Sequence, residues 1–232
     1  NIPTPANALD SLQIRAMAQA QYSNIGGAES LWVDHTVRRG EFPLASCGAG
    51  SSTGAAAVRW YQVNVNGGAV SPALVQAKTW DPDGTDVLHR WMPSLAVDRA
   101  GDLAVGYSVA NATTNPKIVY AGRLAGDPVD TFSQGEQTLI AGTGSQSGTC
   151  GSSSCIRWGD YSSMTLDPNG CEYWMANEYY ATTGLNDLTR IGSFHYPSCA
   201  PVGNGTLGGI VTDGSSPLPG ATVELGTRTT TT

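Results

Sequence analysis

Lysine is almost absent from this chain of 232 residues, with Lys78 and Lys117 the only two. Charged residues of all kinds make up 13%, and the balance is acidic, 12 Lys and Arg against 19 Asp and Glu. The net charge of −7 sets bulk electrostatics against nucleic acid or anionic membrane as a partner, and no basic stripe offsets it. No apolar run approaches the roughly 20 residues needed to span a bilayer. No CxxC pair occurs and the 3 His are scattered, which leaves zinc-knuckle chemistry without a ligand set. No signal-peptide pattern opens the chain at Asn1, as in a mature or cut N-terminus. Helix signals are weak, and residues 8–21 alone could be argued as helical on propensity.

What the chain has instead is glycine, 29 residues of it, and 40% apolar residues in short runs between Gly, Pro, Asn and Asp clusters. That is the strand-and-turn signature. A pattern also recurs. Arg90-Trp91-Met92-Pro93-Ser94-Leu95-Ala96-Val97-Asp98 returns from Arg157-Trp158 to Leu166-Asp167, with two residues added after the tryptophan. Each copy ends in a tight turn, Arg99-Ala100-Gly101 or Pro168-Asn169-Gly170. Aligning the copies predicts strands at Met92–Asp98, Leu103–Ser108, Ile118–Ala121 and Gln137–Ala141, then at Ser162–Asp167, Tyr173–Glu178 and Thr189–Gly192. An earlier copy has Leu31–Thr36, Val58–Tyr61 and Ala73–Lys78, and its first strand falls on Arg15–Tyr22, overriding the local helix preference.

Three four-stranded units read as β-propeller blades, fewer than the roughly four that close a ring. The expected fold is therefore all-β: a partial propeller of about three blades over residues 1–199, the C-terminal part of a larger one. The missing blades would lie on the full-length protein or on another chain. A linker follows at 200–206, and the composition of 207–232 changes again. Leu207–Asp213 and Pro217–Leu225 resemble the opening of the carboxypeptidase-regulatory-like (transthyretin-like) β-sandwich, with its G-x-V-x-D…P-L-x-G-A-x-V pattern. That domain would be cut short, so the chain reads as truncated at both ends.

Among the five cysteines, Cys150 and Cys155 are expected to close a Gly/Ser-rich loop and Cys171 and Cys199 to tie two strands, leaving Cys47 over. Sequons at Asn111 and Asn204 are compatible with export. A secreted, extracellular protein is expected.

Residues 15–199 as a whole are similar to the C-terminal blades of a family of secreted bacterial proteins with sialidase-like (BNR-like) propellers. The carrying segments are 28–37, Tyr107-Ser108, Gly122-Arg123-Leu124-Ala125-Gly126-Asp127-Pro128, Arg157–Met164 and Thr189–Phe194. The resemblance implies a fold and an extracellular home more than a reaction.

Each first strand is led by an arginine, Arg15, Arg90 or Arg157, and three guanidinium groups at a channel mouth would make an anion site. The competing reading pairs each arginine with a nearby acid, or stacks it on its tryptophan, as a staple between blades. Trp91 and Trp158 stand where strands begin and are the expected surface platforms, while Trp32 and Trp174 are expected in the core. Sialidase-type chemistry needs a tyrosine nucleophile beside a carboxylate and a separate acid. Asp160, Tyr161 and Glu178 are the catalytic candidates, although neighbours on a strand point to opposite faces. His35 has no accompanying nucleophile signature and reads as structural. Asp81, Asp83 and Asp86 gather in one turn, either a calcium loop or a solvated acidic turn; the spacing is not that of an EF-hand. No cofactor is required.

The preferred functional expectation is a non-catalytic recognition or scaffold module for glycan or cell-surface material. The alternatives are a sialidase-type glycoside hydrolase completed by missing blades, and a structural subunit assembling through open sheet edges.

Overall fold

The structure, a computed structural model, describes residues 1–12, 16, 18–39, 54–83, 88–200, 211–212, 214–217, 222–225 and 228–231. The chain divides into two compact units, 1–201 and 202–232. Arg15, Cys47 and Asp86 lie outside the described residues, as do residues 201–210, which include most of the expected linker.

Unit 1 is all-β and is built on three open antiparallel sheets, each a meander in chain order. The first contains β1 (Gln21–Ile25), β2 (Ala28–Arg38), β3 (Ala56–Asn64) and β4 (Leu74–Trp80). The second contains β5 (His89–Val97), β6 (Leu103–Asn111), β7 (Thr114–Arg123) and β8 (Glu136–Ile140). A short hairpin of β9 (Thr149–Cys150) and β10 (Ser153–Ser154) precedes the third sheet, of β11 (Ser163–Leu166), β12 (Tyr173–Tyr179) and β13 (Leu188–Phe194). Most of the expected strands are present with longer extents; Ser162–Asp167 is shorter, at Ser163–Leu166, and Gln137–Ala141 moves by one residue to Glu136–Ile140. Of the described residues in Arg15–Tyr22, only Gln21 and Tyr22 belong to a strand, β1, and Ala16 makes an isolated bridge to His35. No α-helix occurs among the described residues.

The repeated turns have one chemistry. The Asp98 carboxylate accepts the Ala100 N–H at 2.9 Å, and Gly101, at φ 92°, donates to the Asp98 carbonyl at 3.0 Å. Asp167, Asn169 and Gly170 (φ 75°) repeat both bonds at 2.9 and 2.8 Å. Aspartate caps the turn and glycine supplies the left-handed corner, and hence the Asp…Gly spacing recurs in the sequence.

Period-two alternation decides how the sheets stack. In β2, Trp32, Asp34 and Thr36 are buried, and Trp32, Val58 and Trp60 share a core with Leu103, Val105, Tyr107 and Val109 of the second sheet. The other face of the second sheet is small, with Ala96, Ala104 and Ile118, and receives Met164, Tyr173 and Met175 of the third. The close fit depends on Gly106, where an added Cβ would stand 2.3 Å from the Met175 sulfur. The second sheet is thus covered on both faces.

The leading edges of the sheets are closed by side chains. The Gln21 amide accepts from the Val97 N–H at 2.7 Å and donates to its carbonyl at 3.2 Å. Ser162 donates to the Met92 carbonyl at 2.6 Å, and Ser94 accepts from the Met164 N–H at 2.8 Å. At the trailing edge of the first sheet, Asp130 accepts from the Ala77 N–H of β4 at 2.9 Å. Edges satisfied in this way are poor templates for another strand.

Disulfides join Cys150 to Cys155 and Cys171 to Cys199, as expected. No helix among the described residues is long and apolar enough to cross a membrane. In unit 2, β14 (Thr222–Leu225) pairs with β15 (Arg228–Thr231). Pro217 bridges Thr212, and β14 falls at the end of the Pro217–Leu225 segment, after its Pro/Gly turn.

Candidate functional site

Two places in unit 1 could hold a ligand. One is the end of the stack where the Arg-Trp pairs lie, and the other is a groove along its leading strands.

At the first, residues 1–12 fold back on themselves, Ile2 and Leu9 exchanging backbone hydrogen bonds of 2.7 and 2.8 Å. Their apolar side chains pack with Trp91, Met92, Trp158 and Tyr180. Asn7 secures the segment to the small disulfide loop, donating to the carbonyls of Gly148 and Cys155 at 3.0 and 3.1 Å. The expectation for Trp32 holds, and those for the other three tryptophans are reversed. Trp91 and Trp158 are 0% and 1% exposed and pack against each other at 6.0 Å, so neither is a sugar platform. Trp174 is 41% exposed, because its face of the third sheet has no described sheet against it. The burial of both tryptophans comes from residues far away in sequence.

The two arginines part company. Arg90 is 1% exposed; its guanidinium grips Glu136 at 2.6 and 3.0 Å and Asp83 at 3.1 Å. Burial works against its charge, and the two carboxylates more than offset it. Burial likewise pushes Glu136 up, but Arg90 and a 2.6 Å bond from Tyr107 hold it below its ordinary range. Arg90 is a staple with no capacity left for an anion. Arg157 is exposed and pairs with Asp160, its Nε 2.6 Å from Oδ2. Two acids of the acidic turn are paired in the same way, Asp83 with Arg90 and Asp81 with Arg39. Among the described residues no group of three or more His, Cys, Asp or Glu could hold a metal ion.

The catalytic candidates are drawn to one corner. Glu178 accepts from the Gly159 N–H at 2.7 Å, which places it against the loop carrying Arg157, Asp160 and Tyr161. Its carboxyl is pushed up to about 7 by burial, with the charges of Asp187 and Asp160 adding and the Gly159 bond opposing. Tyr161 is 50% exposed. Gly159 owes its identity to this corner: at φ 46° an added Cβ would stand 3.0 Å from Asn177 Oδ1. A carboxyl that holds a proton near neutrality can act as a general acid.

The groove, of about 480 Å³, runs along the leading strands of all three sheets. Gln19, Gln21, Tyr22, Ser94, Ser162, Ser163 and Thr165 line it with Leu95, Met164 and Leu166, and among the described residues no charged side chain does. Tyr22 stands 52% exposed, its hydroxyl donating to Glu29 at 2.6 Å. Ser94, Leu95 and residues 162–166 belong to the recurring pattern, but no motif marked them as a site, and only the packing of the three sheets brings their leading strands together.

His35 is structural, as read: it stacks on Tyr61 at 5.6 Å and shares a 2.9 Å hydrogen bond with its hydroxyl. Burial and the nearby Arg59 hold it below its ordinary range.

Comparison with protein-family models, with curated proteins and with solved structures finds no match to this chain.

Proposed function

We propose that this chain is part of a secreted recognition module, its three sheets serving as blades of a sialidase-like propeller and its leading-strand groove taking a neutral, hydroxyl-rich ligand of the glycan class. The observation that carries this is the groove lining. Hydroxyls and amides without charge suit sugar hydroxyls, and an exposed tyrosine offers a face for a sugar ring. Two disulfides suit an oxidising compartment. Unit 2, on its sequence pattern, is read as the start of an appended carboxypeptidase-regulatory-like sandwich. Glycan-array binding followed by calorimetry tests the module. Binding of neutral glycans, weakened at least tenfold in Tyr22→Ala, is expected; a blank array, or binding of polyanions alone, overturns it.

One observation favours a second reading, a glycoside hydrolase: Glu178 is protonated near neutrality beside Asp160 and Tyr161. It requires turnover of aryl glycosides that Glu178→Gln abolishes. The absence of turnover across a broad panel sinks it.

A further inference from the structure

The two outer faces of the stack correspond to faces that meet inside it. Matched positions in the second strands align Leu31, Val33 and His35 with Leu103, Val105 and Tyr107, and Trp32 with Trp174. Hydrogen bonds bear the match out. Thr36 accepts from the Met92 N–H of the next sheet at 3.2 Å, and its counterpart Ser108 accepts from Trp158 and Asn177 of the next sheet at 3.0 and 3.1 Å. Inside the stack, Trp32 is 3% exposed in a core with Leu103, Val105 and Tyr107. Trp174 occupies the same position on the third sheet, yet it is 41% exposed and Ile191 beside it is 61% exposed. The face that would receive it, Leu31, Val33 and His35, is turned away from the buried row of Trp32, Asp34 and Thr36 on the first sheet.

We infer that the outer face of the third sheet docks on the outer face of the first sheet of a second copy, with Trp174 repeating the role of Trp32. The apolar rows match, because Leu-x-Val is the pattern that already packs against a tryptophan at this position. The polar ends match as well: Glu178 closes the Trp174 row at one strand end, and Arg59, directly across from His35 in the pairing, closes the Leu31 row at the corresponding end. The contact is head-to-tail, using two different patches, so every copy both offers and accepts.

That asymmetry makes a decisive test. Sedimentation of the unaltered chain should show self-association, weakened at least tenfold by Trp174→Arg alone or by Val33→Asp alone. Mixing the two variants leaves one intact pair of faces, so a dimer and nothing larger should return. Footprinting with hydroxyl radicals, which needs no variant, should show Trp174 protected in the unaltered protein. A monomer with reactive Trp174 overturns the inference. So does a monomer with protected Trp174, since the covering sheet then belongs to the same polypeptide. Association that survives both substitutions overturns it too.

Discussion

The Arg-Trp pair occurs twice, and the copies have diverged in one residue of the two. Both tryptophans are buried in the same cluster under the N-terminal segment, while Arg90 is sealed between two acids and Arg157 is open to solvent. The tryptophan is the constant because each leads a sheet whose end must be covered. The arginine follows its partners. Glu136 comes to Arg90 across the whole width of the second sheet, from β8. Among the described residues the third sheet has no β8 counterpart, and Arg157 turns to Asp160, one of the two residues inserted after its tryptophan. An identical motif thus yields an internal staple in one place and a surface pair in the other.

Removing the arginines should expose this difference most sharply. Arg90→Ala leaves Glu136 and Asp83 without their cation, and breaking such a buried pair costs about 3–5 kcal/mol; denaturant unfolding measures it, and a loss under about 1 kcal/mol would reduce the staple to a surface pair. Trp158→Phe keeps most of the ring contacts but deprives Ser108 of its 3.0 Å donor. A cost of about 1–3 kcal/mol is expected by the same assay, with the Trp91 environment in near-ultraviolet dichroism reporting repacking. The proton-linked prediction is smaller. Glu178 and Asp34 titrate near 7 when folded, against ordinary values of 4.5 and 3.8. The folded state holds the extra protons between those limits, so their stabilisation is full in acid and lost as pH rises towards 7. Glu136 acts oppositely, losing its contribution on acidification below its ordinary value of 4.5. Melting temperature should decline from pH 5 to 8, and Glu178→Gln should flatten that decline; an unchanged slope in the variant rejects the assignment. Least of all, Arg157→Ala should cost about 0–1 kcal/mol, as exposed pairs do. A larger loss would show the second copy to be a staple after all.

The match between sequence and structure is best where the determinants are local. Asp98 and Gly101, or Asp167 and Gly170, set their turns within four residues, and the alternation of Trp32, Asp34 and Thr36 marks one face of a strand. The strand order and both disulfides follow from such signals. The candidate site was half legible. Glu178, Asp160 and Tyr161 stood out as titratable residues, but their meeting depends on the Gly159 N–H reaching β12 from another segment. The groove was not legible, because serine, threonine and glutamine on strands of three separate sheets signal no chemistry, even where the recurring pattern contains them.

By itself the sequence determined an all-β chain, its meandering units and the Asp…Gly corners between them, since hydrogen bonding and alternation act over a few residues. Tertiary structure alone decided which aromatic rings are covered and which arginine is sealed. Burial belongs to whatever packs opposite: Trp32 and Trp174 hold matched positions, and only the sheet lying against Trp32 separates them.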